Sequence, residues 1–277
     1  LMKREIEFPY EYVFVDEFQD ISKIRYQLIR ILMERLQVKT VCVGDDFQAI
    51  YSFAGSDVRF FFDQMNYPYG MEVFYIVNTY RNSQQLITIA GEFIMKNKLQ
   101  LKKKLRSSRR ENFPIVLFPY HGNFTSILRH ILKEIYLCHK NASILFLGRY
   151  QFDEKLIWET GLFVKKEERI FCENYPTLEF IFYTVHQAKG LGFDEVVLLN
   201  ASKGRYGFPT EVEADRIDQI LRQGNKKEQL MEERRLFYVA LTRTKHKVYI
   251  LYPKYRVSSF IREIQKKKHV ETKSIVS

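Results

Sequence analysis

Two adjacent carboxylates, Asp16 and Glu17, directly follow the apolar run at residues 12–15. Such a run is typical of a buried strand in a parallel sheet, and open α/β sheets bind ligands where their strands end. One carboxylate at that point can hold Mg²⁺, and the other can orient or deprotonate an attacking water. The pair therefore predicts a magnesium nucleotide site; the alternative is a strand that ends in solvated acids.

A second polar turn, residues 44–48, follows another apolar run and contains Gln48. A glutamine at the end of a strand can hydrogen-bond a terminal phosphate. Tyr51 and Phe53, a few residues further on, can present rings on which nucleic-acid bases stack. The alternative is that both rings belong to the core, as aromatic residues after a strand commonly do.

Two arginines outside these turns are also candidates for phosphate binding. Tyr80 and Arg81 pair a ring with a guanidinium, which suits adenine stacking and phosphate recognition, or equally a surface turn. Arg243 lies near the end of a predicted helix, where it can neutralise charge on a transferring phosphoryl group. For the charged residues 232–234 of that helix, the better interpretation is a set of ion pairs along one face.

The stretch at residues 184–191 gathers Thr184, His186 and Lys189 after a third apolar run. A hydroxyl, an imidazole, an amine and nearby backbone N–H groups at one turn suit the phosphate backbone of a nucleic acid. The alternative for His186 alone is a structural hydrogen-bonding role.

Composition narrows the class of protein. The 277 residues suffice for one large or two medium domains, and contents of 46% hydrophobic and 15% aromatic residues exclude a largely disordered chain. The net charge of +11 favours a polyanionic partner, nucleic acid before membrane, with a solvated basic surface as the alternative. The three cysteines form no CxxC pair, so neither disulfides nor zinc is expected. No apolar run approaches the roughly 18 residues of a membrane span, and a cytoplasmic protein is expected.

The elements that position these residues form two alternating α/β sections. The first has strands predicted at residues 12–15, 40–43 and 74–77 and helices at 22–37, 57–65 and 84–97. The second has strands predicted at residues 115–118, 143–147, 180–185, 195–199 and 247–252 and helices at 125–139, 153–160 and 228–242. The first strand, helix and strand predict a parallel βαβ unit with both polar turns at one edge.

Three segments lack apolar periodicity. Residues 98–112 are strongly basic and predict a linker, with a nucleic-acid contact as the alternative. Residues 203–227 predict a surface loop, and residues 266–277 a frayed basic tail.

The five stretches occur in the order VDEFQD, GDDFQAIYSFAGSD, TYRNS, TVHQAKGL and EERRLFYVALTRT. This series resembles motifs II to VI of the UvrD/Rep group of superfamily 1 DNA helicases over residues 10–252. Two features resemble the helicase IV branch of this group. One is Asp46, and the other is the short interval between Arg81 and Thr184, which has no room for the large inserted subdomain of UvrD and Rep. The resemblance implies two RecA-like parallel-sheet domains. The first, at residues 1–97, is expected to be incomplete at its N-terminus, and the second covers residues 113–265.

The resemblance also implies roles for individual residues. Those expected to act on ATP are Asp16 as the Mg²⁺ ligand, Glu17 as activator of the hydrolytic water, Gln48 and Arg81 at the γ-phosphate, Tyr80 on adenine and Arg243 as the arginine finger. Those expected to bind DNA are Tyr51 and Phe53 on single-stranded bases and His186 and Lys189 at the backbone, with Thr184 coupling the two activities.

The chain departs from the family pattern at three places. Gly192 follows KGL, where UvrD-like chains carry a Glu that meets the ribose, and Ala54 stands where the UvrD group has an Arg. No GxxxxGK[ST] loop occurs in the 277 residues. The family places that Walker A loop upstream of the first acidic strand, so the chain is expected to be the carboxyl-terminal part of a longer helicase.

The expected function is therefore part of an ATP-dependent 3′–5′ DNA helicase or translocase, with ATP and Mg²⁺ as cofactors. Its partners are single-stranded or partly duplex DNA and the missing N-terminal helicase segment, without which the chain is expected to be inactive. The alternative is a non-catalytic module, derived from a helicase, that binds DNA or a partner protein.

Overall fold

The computed structural model describes residues 8–66, 71–167, 169–212 and 226–275. The chain divides into unit 1, Leu1–Tyr75, and unit 2, Ile76–Ser277. Both contain helices and parallel strands, which confirms the predicted α/β class. No helix within the described ranges is long and apolar enough to cross a membrane.

Unit 1 begins with the predicted strand, helix and strand. Strand β1 (Tyr12–Val15) pairs in parallel with β2 (Lys39–Cys42), and helix α1 (Lys23–Leu36) connects them. Helix α2 (Arg59–Met65) follows. Because Val15 pairs with Cys42, the polar turns after the two strands lie side by side at one edge.

The described part of unit 1 covers only one face of this small sheet. The face that carries Val15 packs against a core made of Phe18, Ile21, Tyr26 and Ile29. On the other face, Tyr12 and Phe14 are 50% and 74% exposed. The prediction that β1 is a buried strand is therefore wrong for this face, because an apolar run does not reveal whether both faces of its sheet are covered.

Unit 2 is built on one large sheet. Its strands are β3 (Ile115–Tyr120), β4 (Ser143–Gly148), β5 (Val164–Lys166), β6 (Arg169–Phe171), β7 (Glu179–Thr184), β8 (Glu195–Leu198), β9 (Val248–Pro253) and β10 (Val270–Thr272). They lie in the order β10-β3-β9-β8-β4-β7-β6-β5. The pairs from β10 to β7 are parallel, and β6 and β5 continue the sheet in antiparallel fashion.

The helices among the described residues of unit 2 are α3 (Gln84–Ile94), α4 (Phe124–Cys138), α5 (Lys155–Trp158), α6 (Lys226–Leu241) and α7 (Ser259–Ile264). The ring of Phe93 on α3 lies 5.2 Å from that of Phe237 on α6 and 5.1 Å from that of Phe260 on α7. This aromatic packing fixes the start of unit 2, including Arg81, against the helix that precedes Arg243.

Several predictions differ from the structure. Residues 74–77 form no strand: Phe74 and Ile76 are 83% and 85% exposed, and only Asn78 forms a bridge, with Arg106. The tail predicted at 266–277 is wrong for residues 270–272, which form β10 and pair in parallel with β3. The sequence also left β5, β6 and α7 unpredicted. Most of the loop predicted at 203–227, residues 213–225, lies outside the described residues.

The division between the units precedes the boundary expected at residue 97. Unit 2 begins at Ile76 and so includes α3 and the basic segment 98–112. That segment is anchored rather than loose: Arg106 donates to the carbonyl of Val77, and the hydroxyl of Ser107 donates to the carbonyl of Asn82.

Candidate active site and nucleic-acid interface

The acidic turn after β1 has a left-handed residue. Glu17 has φ 49° and ψ 42°, a region that residues other than glycine rarely adopt. Its backbone N–H donates to Oδ1 of Asp16 at 2.8 Å. Both carboxylates are exposed, and an open cavity of about 320 Å³ lies beside them. Backbone strain of this kind clusters at functional sites, so the geometry agrees with the sequence in marking this turn.

Gln19 joins the two polar turns of unit 1. Its buried side chain donates through Nε2 to Oε2 of Glu17 at 2.6 Å and accepts through Oε1 from the N–H of Asp45 at 2.8 Å. Gly44 permits this approach, because a Cβ there would lie 2.5 Å from Oε1 of Gln19. Gln48 then donates through Nε2 to Oδ2 of Asp45 at 2.7 Å. The catalytic and phosphate-binding candidates of unit 1 thus belong to one hydrogen-bonded chain.

The donor set at this edge fits a magnesium ion. Mg²⁺ binds proteins through one or two carboxylates and keeps several waters or substrate phosphate oxygens. The exposed carboxylate of Asp16, beside that of Glu17, offers such oxygens at the end of β1. Asp16 is therefore able to hold the ion while Glu17 stays fixed by Gln19.

The two candidate stacking rings stand next to each other. Tyr51 and Phe53 meet edge to face with their centroids 5.8 Å apart. Phe53, within a short 3-10 helix at Ser52–Ala54, is 57% exposed and so does not belong to the core. Burial, followed by the charges of Asp20 and Glu17, raises the pKa of the Tyr51 hydroxyl. Tyr51 therefore lies close enough to the acidic turn to sense its charge.

In unit 2, a series of hydrogen-bonded turns follows β7. At its start, Oε1 of Gln187 accepts from the N–H and the hydroxyl of Thr184 at 2.9 and 3.0 Å. Backbone bonds from Ala188 to Thr184 and from Leu191 to Ala188 continue it. Gly190 has φ 80°, which favours glycine where a helical turn ends.

Two arginines hold the far end of this turn. Arg81 donates through Nη2 to the carbonyl of Gly190 at 3.4 Å, and Arg243 donates through Nη1 to the carbonyl of Leu191 at 3.3 Å. Gly192 leaves space for Arg81, since a Cβ there would lie 2.9 Å from its Nε. The structure thus brings both candidate phosphate-binding guanidinium groups to one turn.

Arg243 and Asn82 lock the end of α6 to the same place. Arg243 is 2% exposed, and it also donates to the carbonyl of Val239 at 3.1 Å and to the hydroxyl of Thr242 at 3.2 Å. Asn82 donates through Nδ2 to the carbonyls of Thr242 and Thr244 at 3.3 and 2.6 Å. The stretches TYRNS, TVHQAKGL and EERRLFYVALTRT therefore meet in unit 2.

His186 lies near a buried ion pair. Arg149 donates through Nη2 and Nε to the carboxylate of Glu233 at 2.6 and 3.3 Å. Burial, and then the charge of Arg149, lower the pKa of His186 to about 4. The imidazole is therefore neutral near pH 7 and offers a phosphate a hydrogen bond rather than a charge.

This low pKa predicts a pH dependence of stability. Between about pH 6.5 and pH 4, unfolded His186 binds more protons than folded His186, so the contribution of His186 to the free energy of unfolding should fall as the pH falls and level off below about pH 4. His186→Gln should remove this part of the decline, which amounts to at most roughly 3 kcal/mol of unfolding free energy. Urea unfolding of both proteins across this range measures the difference. The exposed His121→Gln is the matched control, and parallel profiles for wild type and His186→Gln would contradict the assignment.

The remaining candidates are less constrained. The ring of Tyr80 is 80% exposed, and its carbonyl accepts from Arg109 at 3.5 Å. Lys189 is half-buried on the turn after β7. Sequence reasoning missed the linking roles of Gln19 and Asn82, although both stand inside the quoted motif stretches.

Two family models match the chain. The UvrD/REP helicase N-terminal domain matches residues 2–67, and the UvrD-like helicase C-terminal domain matches residues 164–255. The first match contains both polar turns of unit 1, and the second contains the turn after β7 and Arg243.

Individual relatives agree with these models. DNA helicase IV from Escherichia coli (strain K12) is 31% identical over 256 residues, which cover 91% of this chain and 35% of that protein. ATP-dependent DNA helicase PcrA from Bacillus subtilis (strain 168) is 32% identical over 159 residues, which cover 55% of this chain and 21% of that protein. DNA helicase II from Escherichia coli (strain K12) is 26% identical over 230 residues, which cover 79% of this chain and 30% of that protein.

The chain spans about a third of the length of these relatives or less. Its matches nevertheless fall in both units and include the motif stretches that carry the resemblance. The motif order, the hydrogen-bonded grouping of the motifs and these similarities lead to one conclusion: the chain belongs to the UvrD/Rep-type family of DNA helicases.

Proposed function

We propose that this chain is part of an ATP-dependent 3′–5′ DNA helicase that couples ATP hydrolysis to movement along single-stranded DNA. The grouping of the motif stretches carries the proposal: two meet through Gln19 in unit 1, and three meet around residues 184–191 in unit 2. A relative named as an ATP-dependent DNA helicase supports the assignment of ATP and DNA as ligands.

Unit 1 supplies the groups that activate water. Glu17 takes a proton from the water whose oxygen attacks the γ-phosphorus, while the bond from that phosphorus to the bridging oxygen breaks and ADP leaves. Gln19 holds Oε2 of Glu17 at 2.6 Å and so orients the base. Gln48 contacts the γ-phosphate. Asp16 holds Mg²⁺, which when bound neutralises charge on the phosphates.

Unit 2 supplies positive charge and adenine binding. Arg81 contacts the γ-phosphate, and Arg243 acts as the arginine finger that stabilises charge on the transferring phosphoryl group. The exposed ring of Tyr80 stacks on adenine.

The turn after β7 couples the two activities. Thr184, His186 and Lys189 meet the DNA backbone, while the carbonyls of Gly190 and Leu191 are held by the two arginines. A change in the position of either arginine when phosphate departs moves this segment, and with it the groups that contact DNA.

The cycle also needs a loop that cradles the phosphates, and GxxxxGK[ST] is not among the 277 residues. We therefore propose that a further helicase segment supplies it and that this chain alone does not turn over ATP. The test is single-strand-stimulated ATP hydrolysis and strand displacement on 3′- and 5′-tailed duplexes, with this chain and with a protein extended upstream to include the loop. Turnover and 3′-tail unwinding only by the extended protein are expected. An extended protein that binds single strands but hydrolyses no ATP would instead favour the non-catalytic binding module.

Phe53 should contribute to DNA binding through its exposed ring. Phe53→Ala in the extended protein is expected to weaken single-strand binding by roughly 1–3 kcal/mol at fixed salt, because base stacking on that ring is lost. Tyr51→Ala should act in the same direction, since the two rings are in contact. Tyr10→Ala, which removes another exposed ring of unit 1, is the control. Unchanged affinity for Phe53→Ala would remove this ring from the DNA site.

A further inference from the structure

We propose that Tyr150, Phe152 and Tyr206 form a second platform in unit 2 on which bases of single-stranded DNA stack. The inference rests on the proposed function. It adds a binding site that lies outside the five motif stretches.

The three rings form one compact cluster. Tyr150 and Phe152 stack nearly in parallel, with centroids 5.0 Å apart and an interplanar angle of 8°. Tyr206 meets both rings edge to face, at 5.7 Å from each. Phe152 and Tyr206 are nevertheless 46% and 51% exposed. Their mutual packing therefore leaves about half of each side chain open to a ligand.

The cluster is held in place before any ligand arrives. The N–H of Tyr150 donates to Oδ2 of Asp153 at 3.0 Å, and its hydroxyl shares a hydrogen bond of 2.6 Å with the hydroxyl of Thr210. The guanidinium of Arg149 lies 4.7 Å from the centroid of the Tyr150 ring. A rigid aromatic surface loses little conformational entropy when a base stacks on it.

Its position is that of a nucleic-acid site. Tyr150 follows the end of β4, where Gly148 pairs with Thr184 at the end of β7. Arg149, next to Tyr150, is also the residue whose charge lowers the pKa of His186. The rings therefore lie at the edge of the sheet that carries the backbone-binding candidates, where open α/β sheets bind their ligands.

The charge beside the rings fits a polyanion. The guanidinium of Arg205 lies 5.5 Å from the centroid of the Tyr206 ring and is exposed. No acidic side chain among the described residues forms an ion pair with Arg205. Aromatic faces beside an exposed cation are the combination that binds single strands without sequence preference.

The experiment compares two oligonucleotides of equal length, one of oligo-dT and one fully abasic, so that only the first can stack. Fluorescence anisotropy at fixed salt gives the Kd of each oligonucleotide for the loop-containing protein, which is the protein extended upstream to include the phosphate loop, and for its variants. Phe152→Ala and Tyr206→Ala are each expected to raise the Kd for oligo-dT on the order of tenfold and to leave the Kd for the abasic strand within about twofold. Phe152→Trp should retain the affinity for oligo-dT.

Phe113→Ala is the matched control. Phe113 is 44% exposed, but it precedes β3 and so lies at the amino-terminal ends of the parallel strands, away from the three rings. Unchanged oligo-dT binding by both alanine variants overturns the platform while the helicase proposal stands. Equal losses for both oligonucleotides also overturn it, since they would indicate a structural role for the rings. A wild-type protein that binds neither strand overturns both proposals.

Discussion

Replacing Arg243 by Ala in the loop-containing protein is expected to slow single-strand-stimulated ATP hydrolysis about a thousandfold, the usual contribution of an arginine finger. The physical reason is electrostatic. A fixed guanidinium stabilises the charge that develops on the transferring phosphoryl group, and an ammonium group cannot reproduce its bidentate planar geometry. Arg243→Lys should recover only part of the rate for the same reason.

The burial of Arg243 requires controls for folding. Its removal also breaks bonds to the carbonyls of Val239 and Leu191, which we expect to cost about 1–3 kcal/mol of stability. Thermal unfolding and the Kd for single strands therefore accompany the rate measurement, and Arg262→Ala removes an exposed arginine of α7 for comparison. A folded Arg243→Ala protein that turns over within tenfold of wild type would exclude the finger.

The second large effect is expected for Glu17→Gln, which should lower the rate of ATP hydrolysis by about 10²- to 10⁴-fold. The amide is nearly isosteric and can still accept a hydrogen bond from Gln19, but it cannot accept the proton of the attacking water. Nucleotide affinity should therefore stay close to that of wild type while turnover collapses, which single-turnover kinetics and nucleotide titration measure separately.

Glu34→Gln is the matched control for this substitution, since it removes an exposed carboxylate of α1 that pairs with Arg30. Loss of nucleotide affinity in parallel with rate would show that Glu17 binds rather than activates. A rate close to wild type would place the base elsewhere.

Sequence patterns predicted those parts of the fold where burial is strongest. In β8 every residue is buried, and Val196, Val197 and Leu198 form an apolar run that is visible in the sequence. The three residues of β5 are all exposed, and they form a strand only by pairing with β6. Residues 270–272 are likewise held by pairing with β3 rather than by an apolar pattern of their own. Residues 74–77 are the opposite case: an apolar run that has no strand partner among the described residues.

The sequence selected the candidate residues of the site but not the contacts between them. Motif order and spacing identified Glu17, Gln48, Arg81 and Arg243. That Gln19 would bridge two turns depends on the close packing of its side chain against Gly44, which leaves no room for a Cβ there and which only the folded chain reveals. The burial of Arg243 was equally hidden, because arginine is rarely buried without several acceptors and the acceptors here include backbone carbonyls, which a sequence pattern does not show. Tyr150 and Phe152 follow the end of a strand, as Asp16 does. The rule that open α/β sheets bind ligands where their strands end would therefore have marked these two rings as candidates as well.

The contact between Gly192 and Arg81 has a consequence for sequence variation. Any side chain at position 192 would occupy the space through which Arg81 now passes, with its first carbon 2.9 Å from Nε. A larger residue at 192 and the present path of Arg81 are therefore mutually exclusive. Grafting a glutamate into position 192 should therefore move the flexible side chain of Arg81 off this path and break its bond to the carbonyl of Gly190.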